Sequence, residues 1–104
     1  ILAGATVDMM TAKPPSPLWD GSAFYYGMGW LVRPAEQNWW HDGSLPGTAS
    51  IMVRTGTGLA WVALFNARAN KPNSTFQGEI DSAMWQAVKG VTDWPTYDLF
   101  STFP

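Results

Sequence analysis

The sequence predicts an α+β fold: an antiparallel meander of three to four strands packed against a C-terminal α-helix, with a short N-terminal helix before the sheet. Three observations predict it. Thr48 to Arg54 and Leu59 to Asn66 are both β-rich, and the Thr55-Gly56-Thr57-Gly58 loop between them has hairpin length. Phe76, Ile80 and Met84, with Ala83, Ala87 and Val88, form an i, i+4, i+7, i+8 stripe that ends at Gly90. Gly and Pro clusters fall between the periodic runs, where turns are needed.

Residues 1–12 are apolar, with Met9 and Met10 one turn beyond Thr6 and Val7, which suits a short helix or a helix end. Lys13-Pro14-Pro15-Ser16-Pro17 stops it, because proline lacks the amide donor and clashes with a preceding helical turn. Trp19-Asp20-Gly21-Ser22 continues as loop. From Tyr25 to Val32, alternation places Tyr26, Met28, Trp30 and Val32 on one face of a strand, and Gly27 and Gly29 leave the other face bare for close approach. Arg33 to Asn38 makes a reversal, Trp39 begins a second strand running into His41, and Leu45-Pro46-Gly47 bends the chain into Thr48 to Arg54. Leu59 to Asn66 is apolar enough to be expected buried on both faces. Ser74-Thr75-Phe76-Gln77 has the spacing of a capping box and opens a helix over residues 75–89. The 91–104 tail is expected to staple back onto the body through Trp94, Tyr97 and Phe100. No internal repeat or low-complexity segment interrupts 1–104, which reads as a single segment.

A chain of 104 residues with 46 % hydrophobic residues can build one small core. Only 13 % of residues are charged while seven are Trp, so part of the surface is expected to be covered. A net charge of −2 and six scattered basic residues give no stripe for a phosphate backbone, which argues against nucleic acid as a partner. The absence of Cys removes disulfides, thiolate catalysis and cysteine metal sites. No run is long enough to span a membrane, and the first residues lack the basic start and cleavage site of a signal peptide. With no initiator Met, Ile1 reads as the start of a processed or partial chain.

The chemistry concentrates in Trp39-Trp40-His41-Asp42-Gly43-Ser44-Leu45-Pro46-Gly47, which holds the single histidine of the chain beside a carboxylate, a hydroxyl and two glycines. His41 and Asp42 are neighbours on a strand and so point to opposite faces, which argues against a direct dyad. His41 is then either a hydrogen-bond donor in a cleft or a strand-end residue satisfying local backbone. Gly43 in a strand lets a ligand backbone lie alongside, and the next amide, that of Ser44, can donate to a developing oxyanion. Ser44 itself lacks the Gly-x-Ser-x-Gly elbow that a nucleophile would want. One His with dispersed carboxylates lacks zinc-ligand spacing, and no metal or other cofactor is expected. Trp30, Trp39, Trp40, Trp61 and Trp85 suit core packing, with one or two left over for a cleft wall. Asn73-Ser74-Thr75 matches the glycosylation sequon, a pattern common by chance.

The order Tyr26-Gly27-Met28-Gly29-Trp30, then Trp40-His41-Asp42-Gly43-Ser44-Leu45-Pro46-Gly47, then Thr57 to Asn66 and a terminal amphipathic helix, resembles the C-terminal part of the serine β-lactamase and penicillin-binding protein superfamily. The branch it resembles holds class C β-lactamases, DD-peptidases and related carboxylesterases. The resemblance spans nearly the whole chain and rests on the order of parts more than on any one motif. It implies a partial β-lactamase-like α/β domain. In that family a Lys-Thr-Gly or His-x-Gly motif lies on a strand lining the active site. By that comparison His41 takes the basic, catalytic position, Asp42 the variable one and Gly43 the small one, both against substrate, while the Ser44 amide completes the oxyanion hole. Asp42 stands where β-lactamases carry Thr, which favours esterase or peptidase relatives over β-lactam hydrolysis.

The two other motifs of the family are missing. No Ser here is followed by Lys three residues later, and no Tyr by Asn two residues later. The resemblance therefore implies one wall of an acyl-enzyme serine hydrolase acting on a small-molecule ester, amide or peptide, inactive alone. Its partner would be the missing N-terminal part, or a second chain along the 59–66 edge. The alternative is a stand-alone binding or structural module that keeps Gly43 because the sheet needs a glycine there.

Overall fold

The computed structural model describes residues 2–15, 18–68 and 76–97. Helix α1 covers Gly4–Met10 and stops at Thr11, whose hydroxyl donates back to the Val7 carbonyl at 3.0 Å. The prolines beyond it prevent continuation. Its C-terminal end is tied to the sheet twice, since the Met28 amide donates to the Met10 carbonyl at 2.9 Å and the Tyr25 phenol to the Thr11 carbonyl at 2.8 Å.

Tyr25–Tyr26 forms β1 and Leu31–Arg33 forms β2, paired antiparallel with Tyr25 opposite Val32. This corrects the expectation of one strand from Tyr25 to Val32. The Gly27 amide donates to the Trp30 carbonyl at 2.7 Å, so the chain reverses there. Gly27 is also where α1 comes close: a Cβ on it would stand 2.5 Å from the Met10 carbonyl oxygen. The period-two pattern of Tyr26, Met28, Trp30 and Val32 survives as sequence but not as one face, because the chain turns there through Gly29, whose φ of +82° no extended strand adopts.

Three further strands complete the meander: β3 (Asn38–Leu45), β4 (Thr48–Arg54) and β5 (Ala60–Phe65). The sheet is five-stranded and antiparallel in the order β1-β2-β3-β4-β5. The α+β meander with a short N-terminal and a longer C-terminal helix is therefore as expected, with one strand more. At the β3–β4 turn Pro46 supplies a preset φ and Gly47 the φ of +80° that a β-carbon would resist. Between β4 and β5 the buried Thr55 closes the loop, its amide donating to the Leu59 carbonyl at 2.8 Å and its hydroxyl accepting from the Leu59 amide at 3.0 Å.

Helix α2 (Phe76–Gly90) lies on one face of the sheet, where Ile80 joins Ile51, Val53 and Trp61 in the core. Trp40, Met84, Trp85 and Val88 pack against that cluster. The stripe Phe76, Ile80, Met84, Val88 is thus the inward one, but Ala83 and Ala87 face solvent and Trp85 takes the place expected of them. A bulkier indole reaches the sheet from a flanking helical position that a methyl cannot. Thr75 and the Ser74 end of the capping box lie outside the described residues, as does the Asn73 sequon.

β5 is not buried on both faces. Trp61 is buried, while Val62 is 58 % and Leu64 76 % exposed, because among the described residues no element covers the face opposite α2 at that strand. Residues 91–97, the described part of the tail, do not staple back either: Trp94 and Tyr97 are exposed, and Phe100 lies outside the described residues.

Candidate functional site

The register of the meander sorts the motif residues onto two faces. His41 stands opposite Met52, which stands opposite Val62; Gly43 stands opposite Ser50, which stands opposite Leu64. These two rows run across the face away from α2. Asp42, opposite Ile51 and then Ala63, belongs to the α2 face, as does Ser44 opposite Ala49 and Phe65. The structure therefore brings His41 and Gly43 together and separates both from the Asp42 carboxylate and the Ser44 hydroxyl. Alternation along one strand decides it.

His41 is exposed, and the Tyr26 phenol oxygen lies 3.5 Å from its Nδ1, with the two rings 6.5 Å apart. The contact is long and exposed, enough to bias the ring but not to bury it. A Cβ on Gly43 would meet Ser50 Oγ at 2.9 Å, the end of a side chain that can rotate away, and the Gly43 backbone needs no positive φ. The sheet as folded does not itself demand glycine at 43.

The backbone of the motif has a free side. β2 pairs with β3 only at Asn38, Trp39 and Trp40, so among the described residues no strand pairs with His41 to Leu45 along that edge. A two-residue turn at Pro46-Gly47 closes on Leu45 and Thr48, and antiparallel alternation then directs the main-chain groups of Gly43 and His41 toward β4 and those of Ser44 and Asp42 toward the free edge. The Ser44 N–H is available there to a ligand oxygen.

On the α2 face lies a feature that motif reading missed, a cleft of about 270 Å3 between β2, β3, β4 and the start of α2. Trp40 and Trp85 form part of its walls, and Arg33, Asp42, Gln77 and Asp81 reach it. The Arg33 guanidinium sits 5.8 Å from the Trp40 ring centre. Burial raises the Asp81 carboxyl above its ordinary value, and the positive charge of Arg33 and a hydrogen bond with Trp85 offset part of that rise. The signal was present in the sequence: Gln77, Asp81 and Trp85 recur at i, i+4, i+8, beside the apolar stripe.

Four tryptophans pack in two pairs. Trp30 meets Trp39 edge to face at 4.5 Å, and Trp61 meets Trp85 at 4.7 Å, with the buried Trp61 Nε1 left without a hydrogen-bond acceptor. Among the described residues no three His, Asp or Glu side chains converge as metal ligands, and no helix is long and apolar enough to cross a membrane. Compared with family models, curated proteins and solved structures, the chain matches none.

Proposed function

We propose that this chain is the C-terminal part of a β-lactamase-like serine hydrolase and contributes one wall of an active site whose nucleophile lies in another segment. The observation that carries the reading is the state of the face bearing His41 and Gly43. It is open beside the motif, continues through the exposed Met52, Val62 and Leu64, and ends at a β5 edge that no strand among the described residues pairs with. Exposed apolar side chains next to an unpaired edge are what remains when a covering segment is absent.

In the assembled site His41 contacts substrate or the leaving group from its strand, Gly43 lets the substrate lie close, and the Ser44 amide donates to the oxyanion along the free edge of β3. Asp42 borders the substrate through its main chain on that same edge, since its carboxylate faces the other side of the sheet. The acyl-enzyme forms on a serine outside this chain. Reading the motif as a relic of a stand-alone module requires the sheet to need glycine at 43, and the obstacle there being a rotatable hydroxyl, Ser50 Oγ, weighs against that.

The test is to incubate this chain, alone and together with a polypeptide carrying Ser-x-x-Lys from the same reading frame, with a covalent serine-hydrolase probe and a small ester. The expected result is no labelling of this chain, labelling of the serine-bearing segment, and turnover only in the assembly. Turnover by this chain alone that is lost in Ser44→Ala would overturn the proposal. Ser44→Pro removes the amide while its N–H faces no strand, so it is expected to lower kcat of the assembly by roughly 100-fold to 1,000-fold, with Ser44→Ala near the parent.

A further inference from the structure

The cleft on the α2 face is separated from His41 by the thickness of the sheet and takes no part in the proposed hydrolysis, so its chemistry stands independently. Its floor is aliphatic, from Ile51 and Val53, and two half-buried indoles, Trp40 and Trp85, line it. Its polar groups are planar and mixed in sense. Arg33 only donates, the Asp42 and Asp81 carboxylates accept, and Gln77 does both. A wholly apolar occupant would strip these groups of water and leave them unpaired, which costs more than the apolar contact returns.

Charge narrows the choice further. Two carboxylates stand beside one guanidinium, so an anion meets repulsion from Asp42 and Asp81, and a cation meets Arg33, whose charge already acts on Asp81. A neutral ligand with many hydroxyls fits both constraints, because each hydroxyl donates to a carboxylate and accepts from Arg33 or the Gln77 amide at once. The flat C–H face of such a ring suits an indole wall. The volume of about 270 Å3 equals that of roughly nine water molecules, room for a single six-membered sugar ring.

We propose that this cleft is a monosaccharide-binding site, holding a neutral pyranose against Trp40 and Trp85 with its hydroxyls shared among Asp42, Arg33 and Gln77. The experiment is a titration of the nitrogen-15-labelled 104-residue chain with methyl glucoside, methyl galactoside, xylose and N-acetylglucosamine, read at the indole N–H signals. Tetramethylammonium chloride and sodium phosphate serve as cation and anion probes. At least one pyranose is expected to shift the Trp40 and Trp85 signals saturably while that of Trp94 on the exposed tail stays in place. Asp42→Ala and Gln77→Ala, both at accessible positions, are each expected to weaken that binding about tenfold while keeping the dispersed amide spectrum of the sheet.

Three outcomes would overturn the proposal. One is the absence of any saturable shift with these sugars up to tens of millimolar. Another is a response of the same indoles to tetramethylammonium or phosphate but not to the pyranoses. The last is a parent chain whose amide signals collapse to the random-coil range, since the cleft would then not exist.

Discussion

Gly27 and Gly43 show how differently the same residue can be constrained. At Gly27 the Met10 carbonyl occupies the place of a β-carbon, and Gly27→Ala is expected to destabilise the chain by about 1–3 kcal/mol, measured by urea unfolding. At Gly43 the obstacle is a rotatable hydroxyl, so Gly43→Ala is expected to leave the urea midpoint nearly unchanged and to abolish turnover in the assembled hydrolase. An equal loss of stability at both positions would return Gly43 to a purely structural role. Asp81 contributes one pH-dependent part of the stability. Its carboxyl is raised in the folded state, so the protonated form favours folding. That contribution is fully present below the ordinary carboxylate value of about 4 and is lost as pH rises through the raised folded value. Asp81→Asn is expected to flatten this part of the stability profile, which urea midpoints taken across mildly acidic pH would reveal.

At the scale of elements, α2 and the sheet depend on each other through few side chains. Ile80 is the one buried residue of α2, set against Ile51, Val53 and Trp61, and Ile80→Ala is expected to cost about 2–4 kcal/mol, with loss of helical circular dichroism at lower denaturant than in the parent. The helix was legible because its stripe repeats every three to four residues over its full length, and β4 because Thr48 to Arg54 is β-rich between two turn signals. The β1–β2 hairpin was not legible. Alternating Tyr26, Met28, Trp30 and Val32 fits a strand equally well, and the choice went to the α1 end, whose Met10 carbonyl takes the Met28 amide out of any ladder.

For the whole molecule the deciding feature is what is left uncovered. The low charge and high aromatic content are read as the sign of a covered surface, and under the proposed function that surface is the His41 face together with the β5 edge. Leu64→Lys combined with Val62→Lys is expected to change the urea midpoint of the isolated chain by no more than about 0.5 kcal/mol, since both side chains already face solvent. The same pair should prevent assembly with the nucleophile-bearing segment, read by size-exclusion chromatography of the mixture. A pair that assembles and turns over ester like the parent would place the interface elsewhere.

By itself the sequence determined the local identities: the two helices and the strands from β3 onward, that His41 and Asp42 diverge, and that no Ser-x-x-Lys nucleophile motif is present. Those follow from backbone periodicity and from residue type, which act within a few positions. Which motif residues share a face across strands, the free edge beside Ser44, and the joining of Arg33 with Asp81 across a cleft were decided only by tertiary structure. Register and helix placement bring together residues far apart along the chain, and no short window of sequence carries that information.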